Sequence, residues 1–119
     1  MLTQSQAQEF AQEWVAAWNS HDLDRILSHY EEEVVLISPI AARLLGDPTG
    51  TVQGKAALRR YFQKGLEVYP NLQFELLDVI WGIESLVLYY INQQGTQSGE
   101  LMKLNNRGKV TRVIAHYNS

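Results

Sequence analysis

Three glycines near the C-terminal end constrain this chain most. Gly82, Gly95 and Gly108 separate the segments Leu72–Trp81, Leu86–Asn92, Ser98–Asn105 and Val110–Tyr117. Each segment reads as a strand, and each glycine marks a turn. A parallel crossover needs about a dozen residues or more, and none of these links is that long. The chain's last part therefore predicts an antiparallel meander.

Upstream the apolar period changes. Phe10, Trp14, Val15, Ala17 and Trp18 recur at helical spacing, with Gln6, Glu9, Gln12 and Glu13 on the polar side. Thr3 or Ser5 supplies the cap, with Gln6 or Gln8 as the capping-box partner, and Asn19-Ser20 ends the helix. Asp22 caps a second, shorter helix with Leu23, Ile26, Leu27 and Tyr30 on its apolar face. Glu31, Glu32 and Glu33 predict an acidic turn. Val34–Ile37 predicts a strand that stops at Pro39. Residues 41–54 read as a loop with one helical turn at Ala41–Leu45. Gly54 opens a third helix, with Leu58, Tyr61, Phe62 and Leu66 on one face, and Pro70 terminates it. The fold class is α+β, helices segregated from an antiparallel sheet.

Composition narrows the function. A length of 119 residues predicts a single domain, residues 1–119. With 45% apolar and 19% charged residues, the chain is globular rather than disordered. The absence of cysteine removes disulfides, thiolate metal sites and a thiol nucleophile, and fits a cytoplasmic protein. The net charge is −3, and the ten Lys and Arg residues are scattered, which argues against a nucleic-acid partner. Arg59, Arg60 and Lys64 read as a solvated helix face. A membrane span needs about 20 apolar residues, and no run approaches that. The polar start, Met1-Leu-Thr-Gln-Ser-Gln, has no secretory pattern. Asn105-Asn-Arg-Gly108 is a hairpin turn rather than a phosphate cradle. No histidine pair has ligand spacing, so neither a metal nor another cofactor is expected.

One strand is apolar on both faces: Leu86-Val-Leu-Tyr-Tyr-Ile91. One face must cover the helices. The other predicts a homodimer packed through the outer sheet face, the alternative being a central strand buried in a monomer.

The order of pieces carries a resemblance. Trp14-Val-Ala-Ala-Trp-Asn-Ser-His-Asp22 is followed by Ile26-Leu-Ser-His-Tyr-Glu-Glu-Glu-Val-Val-Leu-Ile-Ser-Pro39. Then come Gly54-Lys-Ala-Ala-Leu-Arg-Arg-Tyr-Phe62 and Gly108-Lys-Val-Thr-Arg-Val-Ile-Ala-His-Tyr117. Over nearly its whole length the chain resembles the NTF2-like superfamily, particularly its SnoaL-like branch. The resemblance implies a cone: a curved antiparallel sheet wrapped around three N-terminal helices, with an apolar pocket open at one end. It also implies homodimers. Members include isomerases, cyclases, dehydratases, epoxide hydrolases and non-enzymatic binding proteins, so the fold implies a pocket better than a reaction.

The ketosteroid isomerases of this superfamily supply a template: a first-helix tyrosine and a strand carboxyl as oxyanion donors, and an aspartate before a proline as base. Trp14 stands at the tyrosine position, either as a weaker donor or as core. Ser38 stands at the base position. Its neutral hydroxyl is no base near neutrality, so it either orients a ligand or ends a strand. Glu100 stands at the carboxyl position. Two-residue alternation puts it on one face with Met102 and Leu104, the inward face if the apolar pair decides. In an apolar pocket its pKa would rise, making it a catalytic acid/base candidate; on the surface it would be an ordinary glutamate.

Tyr30 and Phe62 match positions that line or support the template pocket. The resemblance places Val87, Tyr89, Ile91, Val113, Ala115 and Tyr117 inward. His116 then faces the dimer side, unless a bulge shifts the register and turns it into the pocket. The Asp–Arg–Asp arrangement of the epoxide hydrolases is not found. The expected lining set is Trp14, Trp18, Tyr30, Leu36, Ser38, Phe62, Tyr89, Glu100, Met102 and Tyr117, with the loop from Ile40 to Gln53 and its Arg43 at the mouth.

Two functions follow from that set. The first is an enzyme that isomerises or cyclises a small apolar carbonyl compound, with Glu100 as acid/base and Trp14 and Ser38 orienting it. The second is a dimeric ligand-binding or accessory protein without chemistry. A scaffold whose pocket is filled by its own side chains is the third possibility.

Overall fold

The computed structural model describes residues 2–118. The first helix, α1 (Gln4–Ser20), starts in a complete capping box between Thr3 and Gln6. It buries Ala7, Ala11, Trp14, Val15, Ala17 and Trp18, the predicted stripe. It ends at His21, whose backbone is left-handed (φ 60°). The His21 ring bonds the carbonyl oxygen of Leu72 at 2.8 Å. Helix α2 (Leu23–Leu27) follows, capped by the side chain of Asp22 on the Arg25 amide.

Strand β1 (Tyr30–Ile37) comes next. Glu31, Glu32 and Glu33 are therefore strand residues rather than an acidic turn. Glu31 pairs with Arg107 and accepts from Asn105, which holds its carboxylate against a neighbouring hairpin. Helix α3 (Pro39–Leu45) is longer than the single turn expected, with Ser38 as N-cap and Pro39 in its first turn. Strand β2 (Thr51–Gln53) occupies the rest of the predicted loop, and α4 (Lys55–Val68) buries Leu58, Tyr61 and Phe62. The described residues thus carry four helices, not three.

Strands β3 (Glu75–Trp81), β4 (Ser85–Ile91), β5 (Gln97–Leu104) and β6 (Val110–Tyr117) form the antiparallel meander. The sheet has six strands in the order β2-β1-β6-β5-β4-β3. Its β1–β6 pair is parallel, with Leu36 opposite Val113. The entire middle of the chain serves as the crossover between these two strands. The sheet is therefore mixed rather than purely antiparallel, and β1 sits in its interior. No helix of the described residues is long and apolar enough to cross a membrane.

The inner sheet face and the helices enclose one core, from Trp14 and Trp18 on α1 to Leu88, Met102 and Val113 on the sheet. Gly50 fixes one rim of it. Its φ is +60°, and a Cβ there would run into the Ser38 carbonyl oxygen. The Ser38 amide donates to Gly50 O at 2.9 Å, tying the end of β1 to the start of β2.

Candidate functional site

The site is built from aromatic rings and one carboxyl group. Trp14 and Trp18 stand one turn apart on α1. Trp14 stacks on Phe74 with ring centroids 5.6 Å apart, and meets Tyr90 edge-on at 5.3 Å. Trp18 meets Phe62 of α4 at 4.7 Å. Phe62 in turn meets Tyr30, at the start of β1, at 5.5 Å. These edge-to-face and offset contacts fix the wall geometrically as well as through area. The cavity they enclose has a volume of about 60 Å³ and opens on one side. Drug-sized ligand pockets run to about 300–1,000 Å³, so only a small molecule, or one end of a larger one, fits unless the lining moves.

Among the described residues, Glu100 is the only charged one lining this cavity. It is 6% exposed. Strand β5 brings it inward because Glu100, Met102 and Leu104 alternate on the buried face. Its carboxylate accepts a hydrogen bond from the Tyr90 hydroxyl. Burial pushes its pKa up to about 7, opposed only by that Tyr90 bond. Among the described residues no cation pairs with it. Tyr90 is fully buried beside it, and its phenol proton is held more tightly than usual. A carboxyl of this kind exchanges a proton near neutrality, which is the requirement for an acid/base group.

The neighbouring polar groups are partly committed. Trp14 donates its indole N–H to the Tyr30 hydroxyl at 2.9 Å. Burial raises the Tyr30 pKa far above the ordinary phenol value. Ser38 is 3% exposed, and its hydroxyl accepts from the Ile40 amide at 3.1 Å as the cap of α3. The same hydroxyl partly offsets the burial of Tyr61 and Tyr117, of which Tyr61 is pushed up to about 12. Arg43, on α3, acts weakly on both phenols but does not line the cavity.

Eight of the ten expected lining residues are gathered here: Trp14, Trp18, Tyr30, Leu36, Ser38, Phe62, Glu100 and Tyr117. Two are not. Met102 points inward but is packed at 0% exposure within the core, away from the cavity. Tyr89 lies on the outer face and is 39% exposed. Val87 and Ile91 share that outer face, so Tyr90, Leu88 and Leu86 are the inward residues of β4. The reason is register: Leu88 sits directly opposite Glu100, and opposite residues share a face. His116 stays outside, exposed, with its ring near the Gly99 carbonyl. The β5–β6 irregularity lies at Lys103/Leu104, at the far end from His116.

Sequence reasoning missed Phe74, Tyr61 and Tyr90 as wall residues. A signal for Tyr90 was present. The β4–β5 link is a five-residue loop, 92–96, in which the Asn92 side chain accepts from the amides of Gln94 and Thr96. An odd-length loop gives facing residues the same parity, so an inward Glu100 requires inward even-numbered residues on β4.

Comparison with known proteins agrees with this architecture. The model of the SnoaL-like domain matches residues 11–118. A SnoaL-like protein of unknown function from Burkholderia thailandensis is 35% identical, with a TM-score of 0.94 over 98% of each chain. A candidate isomerase of the SnoaL-like family from Agrobacterium tumefaciens superposes with a TM-score of 0.77 at 16% identity, over 97% of this chain and 99% of that one. A protein of unknown function with a cystatin-like fold from Methylobium petroleophilum gives 0.78 at 14% identity, over 99% of this chain and 79% of its own. No curated protein sequence matches the chain. The matched span, the helix-filled curved sheet and the aromatic cavity beneath it agree: this chain belongs to the SnoaL-like domain family.

Proposed function

We propose that this protein binds a small carbonyl-bearing molecule in the aromatic cavity and isomerises or cyclises it, with Glu100 as acid and base. The observation that carries the reading is the lone buried carboxyl with a pKa near 7 in an otherwise uncharged wall. In its ionised form Glu100 takes a proton from the carbon next to the carbonyl. The electron pair moves onto the carbonyl oxygen. Where the substrate carries a double bond one carbon further on, the protonated carboxyl then returns the proton to the far carbon of that bond. The double bond moves into conjugation as the carbonyl re-forms, and no external acid, base or oxidant is needed. Trp14 and Ser38 contribute less than their positions suggested, because the Trp14 N–H is held by Tyr30 and the Ser38 oxygen by the α3 cap.

The test is a titration of Glu100 by carbon-detected NMR, alongside proton exchange at the α-carbons of small ketones in deuterated water. Titration near pH 7 with exchange abolished by Glu100→Gln supports the reading. A carboxyl titrating in the usual range, or exchange unchanged in the variant, rejects it. The internal engagement of Trp14 and Ser38 favours the second reading, a binding or accessory protein without chemistry; saturable ketone binding with no exchange is its signature.

The protein further acts as a homodimer in this reading. An aliphatic row crosses five strands on the outer face, with Ile80 opposite Val87, Val87 opposite Leu101, Leu101 opposite Ile114 and Ile114 opposite Ile37. Ile80 is 60% exposed in the single chain. Sedimentation should give a dimer that Leu101→Lys converts to monomer; a monomeric parent chain rejects this part.

A further inference from the structure

Trp18 carries a buried donor that makes no well-formed hydrogen bond. Its indole nitrogen is buried and has no hydrogen-bond partner among the described residues. Folded proteins pair nearly all such groups, so each exception calls for an explanation. An indole N–H cannot accept, so only an acceptor atom satisfies it.

A second donor lies beside it. The Trp18 indole sits near enough to the Tyr30 hydroxyl to offset part of that phenol's burial. The Tyr30 oxygen already accepts from Trp14 at 2.9 Å. No described protein group takes the Tyr30 proton: the Glu100 carboxylate is bonded instead by Tyr90. Burial keeps Tyr30 neutral at all ordinary pH, so it remains an O–H donor.

We propose that Trp18 and Tyr30 form a two-donor seat for a single acceptor oxygen, and that this seat selects neutral carbonyl compounds for the cavity. The proposal rests on the cavity being the ligand site and names how its ligand is recognised. Trp14 is a positioning residue in it, because its bond occupies the Tyr30 oxygen as an acceptor and leaves the phenol proton for another partner. The rest of the wall sets the ligand's charge. A carboxylate would sit beside Glu100 with no lining cation to balance it; an ammonium would be drawn to Glu100 but has no acceptor and leaves both donors of the seat unpaired. A carbonyl oxygen accepts from both donors and brings no charge.

The test uses cyclopentanone and methylenecyclopentane, which share a shape but differ in the oxygen. Binding is followed by NMR, with the Trp18 indole N–H signal assigned from the Trp18→Phe variant. The expected result is a downfield shift of that signal with the ketone and not with the alkene. Trp18→Phe and Tyr30→Phe should each weaken the ketone roughly tenfold, the loss of one buried hydrogen bond, and leave the alkene within about twofold. Equal weakening of both probes, an unmoved Trp18 signal at saturation, or no ketone binding up to the solubility limit overturns the proposal. If a variant does not fold, the Trp18 signal of the parent protein decides. Glu100→Gln separates this from the acid/base reading. Loss of proton exchange with unchanged ketone affinity supports both. A Glu100 of ordinary pKa with the ketone-selective losses intact removes only the chemistry.

Discussion

The two faces of the β4–β5 hairpin both carry large apolar side chains and are opposite in use. Inward lie Leu88 opposite Glu100 and Tyr90 opposite Ser98; outward lie Val87 opposite Leu101 and Tyr89 opposite Gly99. The inner face holds its polar atoms in bonds, Tyr90 to Glu100 and Asn92 to Ser98. The outer face presents an aliphatic row with Lys103 and Arg112 along one side and His116 along the other. Apolar content therefore does not mark the inside of this sheet. What marks it is whether a polar group is removed from water and given a partner.

The largest way to break that comparison is a cavity on each face. Leu88→Ala should destabilise the fold by about 2–5 kcal/mol, and Val87→Ala by less than about 1 kcal/mol, in urea unfolding of a dilute sample. Equal costs would mean that the faces are assigned the wrong way round.

Glu100→Gln gives the next effect and sharpens the contrast with surface carboxylates. A raised carboxyl pKa means that the folded state binds the proton more tightly than the unfolded one. Stability is thus lost as pH rises from the usual carboxyl range through about 7. The variant removes this loss, so it should gain roughly 3 kcal/mol on the parent at pH 8 and little at pH 5. Glu13 must behave oppositely. Its hydrogen bonds from Arg25, at 2.8 and 2.9 Å, lower its pKa, so its contribution is present above the usual carboxyl range and fades as pH falls. Because the pair is exposed, Glu13→Gln should cost only a few tenths of a kcal/mol. Paired pH–stability curves check both signs.

Smaller effects follow from single polar contacts. Trp14→Phe leaves the Tyr30 oxygen without its donor and should cost about 1–3 kcal/mol by thermal unfolding. On the outside, Tyr89→Ser should stay within about 0.5 kcal/mol for the monomer. A cost for Tyr89 comparable to that for Trp14 would show that the outer face is covered even in the isolated chain.

Much of the fold was legible locally. The α1 stripe, the Thr3 and Asp22 caps and the glycine turns each depend on neighbours within a few residues, which a linear pattern records. The Glu31–Glu33 run misled because charge density resembles a turn, whereas Arg107 and Asn105, distant in sequence, hold Glu31 against the β5–β6 hairpin. The same kind of distance hid the parallel β1–β6 pair, since nothing in either strand names its partner.

The site divides along the same line. The sequence by itself determined the identities and alternation that put Glu100 on a face with Met102 and Leu104, and the helical spacing that put Trp14 and Trp18 on one stripe. Only the tertiary structure decided that Tyr90 rather than Tyr89 meets Glu100, that Trp14 closes on Tyr30, and that Trp18 is left without a partner. Periodicity is a property of one element and survives in the sequence. Register, desolvation and hydrogen-bond partnership are properties of two elements brought together, and exist only once the chain has folded.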